Sequence, residues 1–516
     1  MGKNCIYIHD NKNIRDGIYI YNLELYKYFM RSHKLTREFN KKILDKYNNI
    51  PIDLHISLLK FSDSIFFEAS RIIEIIKDYN EYDCIKVDTK YNDIIKVLIK
   101  ILDINDLNIF FVENKMKINN FSFFKYIAYS LTLLFNSLFV KKYNDKNIFI
   151  MYNDKISFEF FKPYEKSSIA YPMYDNKLKF SPSNYILDRY LNRKFISLNF
   201  YKKGIIQYFK NRLLLNKSNL PLVIKKIYIS KLINLEINTM IVMSLKDKFK
   251  NLKNIMGIFD TNPAIDYITN QLNSINIQTI CIPHGINFKY KVSYISYGTN
   301  IYSLWSQNHF IRMEESKLLK NKNVKTIISG NIVYKQTLKK IEQKLHKNEK
   351  KILVIGEYFS NDNYYSSPFN KKTSQILFDT LKLFCNEKKD IKVTIRTRLS
   401  DGYYKLAKNY ISNSIQLSSP SNSIIEDINN HDLIISVFSN ALHEGLLLNK
   451  KVLQVNLLGI ENYRDLARDG LVYYADTEES LRNILLQWYN NTLPKLDYKK
   501  HLELYANNGK FIKINV

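Results

Sequence analysis

Asp432 to Asn456 reads DLIISVFSNALHEGLLLNKKVLQVN. An apolar run ends at Ser436, a short polar turn follows, then a helix-length amphipathic stretch and a second apolar run. Parallel strands need a long crossover between them, usually a helix, and strands buried on both faces read as continuous apolar runs. Outward from this unit the same alternation repeats. Strands are expected at Lys351–Gly356 (KILVIG), Ile391–Thr397, Ile415–Ser418, Asp432–Ser436, Lys451–Asn456 and Leu471–Tyr474. Helices are expected between them, at Lys372–Glu387, Tyr403–Asn409, Ser423–Asn429, Ala441–Leu448, Tyr463–Arg468 and Glu478–Tyr489. Such alternation makes a doubly wound, Rossmann-like domain.

A shorter pattern of the same kind lies upstream. Asn147–Met151, Asn254–Phe259, Gln278–Ile282 and Thr326–Ser329 read as strands, and Ala264–Ser274 and Asn308–Leu319 as helices. From Arg189 to Lys253 the apolar spacing is mainly helical, broken at Pro221. Lys335–Lys351 is polar and basic, with no aromatic residue between its ends to stack on a base, and reads as a solvated helical linker. Tyr126–Val140 (YIAYSLTLLFNSLFV) is flanked by lysines, contains polar residues and is too short to span a bilayer, which leaves a buried or an interfacial helix. In the first 120 residues, Cys5–Ile8 reads as a strand and Ile65–Tyr79 and Tyr91–Leu102 as helices, with no catalytic motif.

The expected class is therefore α/β: two Rossmann-like domains facing a cleft, with extra helical segments in the N-terminal half. The expected divisions are an N-terminal α/β region (1–120), the apolar helix (121–145), an N-terminal Rossmann-like domain with a helical insertion (146–334), a basic linker (335–350) and a C-terminal Rossmann-like domain (351–516).

The chain has 516 residues and 77 basic against 49 acidic side chains, a formal charge of +28. That field favours an anionic partner such as a phosphorylated substrate, nucleic acid or an acidic membrane surface. The lysines are spread along the chain, which disfavours nucleic acid as the specific partner. Cys5, Cys84, Cys281 and Cys385 lie far apart with no CxxC pair, so neither structural zinc nor a disulfide is expected and a reducing cytosol fits. The N-terminus MGKNCIYIHD lacks a signal-peptide apolar run, and Ile6 stands where a myristoylation signal wants Ser or Thr. The expected location is the cytoplasm, including the inner face of its membrane.

Two short sequences carry the candidate chemistry. Ile282-Pro283-His284-Gly285 ends an apolar strand, where a polar side chain points into the ligand crevice. His284 can act as an acid or base, contact a phosphate, or simply cap the turn. In the opening stretch, Ser436, Ser439 and Asn440 occupy the turn where phosphate binds, and Glu444 can accept hydrogen bonds from sugar hydroxyls. The alternative makes Ser439 or Asn440 an ordinary N-cap and Glu444 a first-turn acid favoured by the helix dipole. Gly356 opens a turn that can line the same cleft, and Arg396 and Arg398 can hold a phosphate. GxGxxG, Walker, HExxH and GxSxG patterns are missing, which argues against dehydrogenase, P-loop ATPase, zincin and α/β-hydrolase readings.

The segment from Asn254 to Tyr489 resembles GT-B glycosyltransferases of bacterial capsule and surface-carbohydrate synthesis, including polysialyltransferase- and glycerophosphotransferase-like enzymes. DTNPAIDYITNQLNSINIQTICIPHG, LWSQNHFIRM and TIISGNIVY carry the resemblance together with the opening stretch. It implies a nucleotide-sugar donor bound by Ser436, Ser439, Asn440 and Glu444, with Gly356, Arg396 and Arg398 as further candidates read from the residues themselves, and a glycan or lipid-linked acceptor. It implies a phosphate-contact or acid/base role for His284, with no metal and no separate cofactor. Asp260, at the end of the strand NIMGIF, is the candidate general base of an inverting transfer, or an N-cap or turn aspartate. The relatives' lysine-x-histidine-proline element is replaced here by Arg396-Thr397-Arg398, leaving a CMP-, CDP- or UDP-linked donor open. A nucleotide-sugar 2-epimerase of the same fold is the alternative. A basic protein binding nucleic acid or membrane without catalysis is the reading from another class.

Overall fold

The computed structural model describes residues 5–10, 18–20, 25–105, 107–112, 148–152, 164, 168–172, 198–243, 246, 249, 251–259, 263–283, 298–316, 324–338, 350–356, 367–397, 402–437, 439–459 and 465–514. Three all-parallel sheets run in chain order.

The first contains β1 (Cys5–His9), β2 (Ile18–Tyr19), β3 (Cys84–Asp88) and β4 (Ile109–Phe111), in the order β2-β1-β3-β4. Its helices are α1 (Phe29–Lys46), α2 (Ile52–Lys77) and α3 (Asn92–Leu102). The second holds β5 (Ile148–Tyr152), β6 (Ser168–Pro172), β7 (Asn254–Gly257), β8 (Gln278–Cys281), β9 (Ile301–Leu304) and β10 (Lys325–Ile328), in the order β10-β9-β8-β7-β5-β6. Around it lie α4 (Leu198–Lys217), α5 (Leu222–Met243), α6 (Ile265–Asn273), α7 (Gln307–Ser316) and α8 (Ile332–Leu338). As expected, the helical insertion breaks at Pro221, which stands immediately before α5 and lacks the amide that a helix interior needs.

The third sheet is built from β11 (Lys351–Ile355), β12 (Lys392–Arg396), β13 (Ile415–Leu417), β14 (Leu433–Ser436), β15 (Lys451–Val455) and β16 (Tyr473–Ala475). Its helices are α9 (Ser367–Glu387), α10 (Gly402–Lys408), α11 (Ile424–Asn429), α12 (Ala441–Leu447), α13 (Asp465–Arg468), α14 (Glu478–Tyr489) and α15 (Tyr498–Tyr505). The order β13-β12-β11-β14-β15-β16 is the 3-2-1-4-5-6 arrangement of dinucleotide-binding sheets, with its switch point between β11 and β14. Pleating explains why the strands are apolar throughout. Ile352, Val354, Leu433 and Ile435 enter one core, while Leu353, Ile355 and Ile434 enter the core on the opposite face.

The first two sheets share one continuous core, running from Ile8 to Met313. Helix α2 links them: Lys60 forms a buried ion pair with Asp266, and the Tyr267 amide donates to Ser57 Oγ at 3.2 Å. The cysteine expectation is corrected here. Strands β1 and β3 place Cys5 opposite Cys84 in register with Cα atoms 4.6 Å apart, and the two are disulfide-bonded. The argument from cysteine usage to a reducing compartment falls with it.

After α15 the chain returns to the second sheet. The Ile512 amide donates to Ser329 O at 2.7 Å, and Ile514 enters a core with Met256, Ile258, Ile280 and Ile282. Gly330 has φ +79°, and a Cβ there would lie 1.9 Å from Lys510 O, so only glycine admits the returning chain. The apolar Tyr126–Val140 stretch and most of the basic linker lie outside the described residues. Among the described residues, no helix is long and apolar enough to cross a membrane.

Candidate functional site

Elements around the second and third sheets meet along a buried seam. Trp305, which follows β9, and Tyr334 of α8 form one buried cluster with Leu447 of α12 and Ala506. Tyr334 stacks on His443 of α12, with centroids 6.3 Å apart. His443 Nδ1 lies 3.0 Å from His501 Nε2, and Tyr505 stacks on His501. Burial pushes His443 down to about 3 and His501 well below its ordinary value. Both rings are therefore neutral, and complementary tautomers make their hydrogen bond. At the rim, Arg312 of α7 pairs with Asp465 of α13 at 2.8 Å, and burial still pushes Asp465 up to about 6. This seam anchors α12 against the second sheet.

Glu444 sits on α12, beside His443 in sequence and partly open to solvent. Burial pushes its carboxyl up to about 7, while the Arg396 guanidinium opposes the shift. Glu444 in turn acts on the Tyr334 hydroxyl, whose own rise is due first to burial. Glu444 is thus coupled electrostatically both to the third sheet's Arg396 and to Tyr334 beside the second sheet, on the helix that follows the switch-point strand β14. Gly445 explains the close seat of α12, since a Cβ there would meet Val452 at 3.0 Å.

The other expected contacts are distributed differently. Ser436 is buried at the end of β14, and its hydroxyl donates to Ile355 O at 2.9 Å, stitching the two switch-point strands. Ser439 stands before the N-cap, and its Oγ accepts from the Ala441 amide at 3.3 Å in a serine turn rather than as the helix cap. Asn440 occupies the N-cap position without a side-chain cap bond. Helix α12 has only seven residues, so its dipole adds little.

Arg396 ends β12 and is already committed. Its Nη1 pairs with Asp427 and its Nη2 donates to Asn422 O at 3.1 Å. Asp427 is buried and also accepts from Ser418 Oγ and, at 2.8 Å, from Asn422 Nδ2. The guanidinium thereby clamps the β13–α11 loop, and its net positive field toward a ligand is reduced by Asp427. His284, Asp260 and Arg398 lie outside the described residues.

Gly356 follows β11, and its amide donates to Arg396 O at 2.9 Å. A Cβ at Gly356 would fall 2.4 Å from the buried Tyr403 ring. Gly356→Ala is expected to cost about 1–3 kcal/mol by overpacking, measured by urea unfolding. In a Tyr403→Ala background most of that cost should vanish.

A cavity of about 740 Å³ beside the Arg396 clamp is lined by Thr394, Gln416, Ser418, Asn422, Asp427 and His431, on the polar face of β12 and β13 rather than at the switch point. Among the described residues no three His, Cys, Asp or Glu side chains converge as a metal site.

The neutral histidine pair beside Glu444 was missed by sequence reasoning, although His443 stands in the same ALHEG turn. His501 is distant in sequence and reaches the seam only through the returning helix.

No family model matches the chain, and no curated protein matches it. Solved structures of similar outline include a putative UDP-N-acetylglucosamine 2-epimerase from Listeria monocytogenes, at 10% identity and TM-score 0.43, covering 70% of this chain and 92% of that one. The UDP-GlcNAc 2-epimerase of Neisseria meningitidis bound to UDP-GlcNAc aligns at 12% identity and TM-score 0.40, covering 70% and 94%. A TarM variant from S. aureus in complex with UDP aligns at 13% identity and TM-score 0.37, covering 52% and 57%. Likeness at this level adds nothing to the geometry of the site, which stands by itself.

Proposed function

We propose that this chain is an enzyme acting on a nucleotide-activated sugar bound at the β11/β14 switch point. The observation that carries the reading is Glu444: a carboxyl held near neutrality by burial at the carboxyl edge of a 3-2-1-4-5-6 sheet, opposed by one cation. A carboxyl in that position accepts hydrogen bonds from vicinal hydroxyls, as the acidic residue of dinucleotide folds does for ribose. Arg396, partly neutralised by Asp427, is the cation this reading assigns to the diphosphate charge.

Two chemistries use such a site. In the first, the sugar is epimerised at C2 while attached to its nucleotide. In the second, it is transferred to a glycan or lipid-linked hydroxyl, with His284 and Asp260 as the acid/base candidates. Epimerisation needs no acceptor and is tested first.

The test incubates the full chain with UDP-, CDP-, CMP- and GDP-linked sugars in D2O and follows them by proton NMR. Deuterium entering C2 with a new C2 epimer supports epimerisation. Sugar loss only when an acceptor is added supports transfer. A selective thermal stabilisation by one nucleotide should accompany either result. No stabilisation by any of the nucleotides overturns the reading.

A further inference from the structure

Helix α4 keeps its inner face through Tyr208, Asn211 and Leu215, all buried at i, i+3, i+7 spacing. Asn211 Nδ2 donates to Glu236 Oε1 at 2.7 Å and to Tyr267 Oη at 2.8 Å, which fixes the rotation of the helix against α5 and α6. The opposite face repeats that spacing with Ile206, Phe209 and Leu213, which are 54%, 41% and 58% exposed. Leu222, opening α5, is 67% exposed. A surface helix ordinarily keeps its outward stripe polar. Rotation cannot bury this one, because the Asn211 network holds the register.

The charge around the stripe is one-sided. From Leu198 to Leu235 every charged side chain is Lys or Arg, eight in all, with no Asp or Glu. The chain's overall ratio of 77 to 49 would place several acids in such a span, so compositional bias does not account for it. Lys210 and Lys217 lie on the same exposed face as the stripe, and Lys226 follows Leu222. Aliphatic side chains flanked by lysines suit a plane that is apolar beneath and anionic above. A phosphate backbone alone offers the aliphatic stripe nothing to bury in.

We propose that the outward face of α4, with Leu222, is a peripheral docking surface for an anionic lipid bilayer. Ile206, Leu213 and Leu222 enter the headgroup–acyl boundary, and Lys210, Lys217 and Lys226 meet lipid phosphates. The proposal does not depend on the nucleotide-sugar reading.

Flotation of the full chain with phosphatidylcholine vesicles, with and without phosphatidylglycerol, tests it. The protein should float only with phosphatidylglycerol, and less as salt rises. Ile206→Asp/Leu213→Asp and Lys210→Glu/Lys217→Glu should each weaken binding at least about tenfold, with unchanged melting temperature. No flotation with phosphatidylglycerol overturns the proposal. Flotation undiminished in Ile206→Asp/Leu213→Asp also overturns it, because charge alone would then suffice. A dimer lost in that same pair, without vesicle binding, overturns it by giving the face to a second copy. RNA binding that Lys210→Glu/Lys217→Glu abolishes and the apolar pair leaves intact, without flotation, does so by giving it to nucleic acid.

Discussion

Glu444→Gln is expected to make the ligand-free protein more stable above neutral pH while weakening nucleotide binding at least about tenfold. Burial holds the Glu444 carboxyl at about 7 against an ordinary 4.5. Below the unfolded value both states are protonated and nothing is lost. As pH rises through 4.5 toward 7 the unfolded chain releases its proton first, and the folded state loses stability. Above 7 the whole cost is in place. The full shift corresponds to about 3 kcal/mol at about 1.4 kcal/mol per unit, and partial exposure reduces it to about 1–2 kcal/mol. Glutamine never carries the charge, so the variant should gain that amount at about pH 8 and nothing below about pH 4.5. His443 and His501 act in the opposite sense, because their lowered values withdraw stability as pH falls below 6.5. The difference between variant and wild type isolates Glu444 from them. Urea unfolding across pH, with calorimetry of nucleotide binding, reads both effects. A carboxyl that merely favoured the helix dipole would instead lose stability on neutralisation, by up to about 1 kcal/mol.

Arg396→Ala should destabilise the C-terminal domain by about 2–4 kcal/mol. It leaves Asp427 buried without its cation, and breaking one partner of a buried pair costs more than the pair itself contributes. Ser418 and Asn422 still donate to Asp427, which keeps the loss below the top of the usual range. Arg396→Ala/Asp427→Ala should recover most of the stability. Arg396→Lys should not, because one ammonium cannot span Asp427 and the Asn422 carbonyl as the planar fork does. Equilibrium urea unfolding of the three variants decides. If Arg396→Ala loses nucleotide affinity at undiminished stability, the guanidinium is a ligand group and the Asp427 pair is incidental.

How much of this was legible follows from the residues. Every helix and strand expected between Lys351 and Tyr489 is present within a few residues, because the central strands there are buried on both faces and the crossovers carry apolar stripes. Helix α9 starts five residues before its expected Lys372, at Ser367. Strands β2, β3, β4, β6 and β9 and helices α1 and α15 were not foreseen. IYSL is too short for a period to show, and the acceptance of α15 depends on a surface supplied by α7 and α12. At the site, Glu444 was legible because a carboxylate early in the post-strand helix has a positional meaning. Ser436, expected to serve phosphate from the turn, is the last residue of β14, and its hydroxyl stitches β14 to β11. The Arg396 clamp was hidden because Asp427 and Asn422 stand far along the chain and only the β12–β13 pairing brings them near.

The sequence by itself determined the parallel α/β class, the crossover helices, and the placement of Glu444 early in a post-strand helix and of Arg396 at a strand end. Those properties are local, written in apolar period and in the order of strand, turn and helix. The tertiary structure alone decided that Cys5 meets Cys84, that Arg396 faces Asp427, and that His501 reaches His443. It also decided that the N-terminal sheet shares its core with the second. Each of these depends on which strands become neighbours and where the chain returns. Strand order is set by the packing of whole faces, which no single stretch of residues contains.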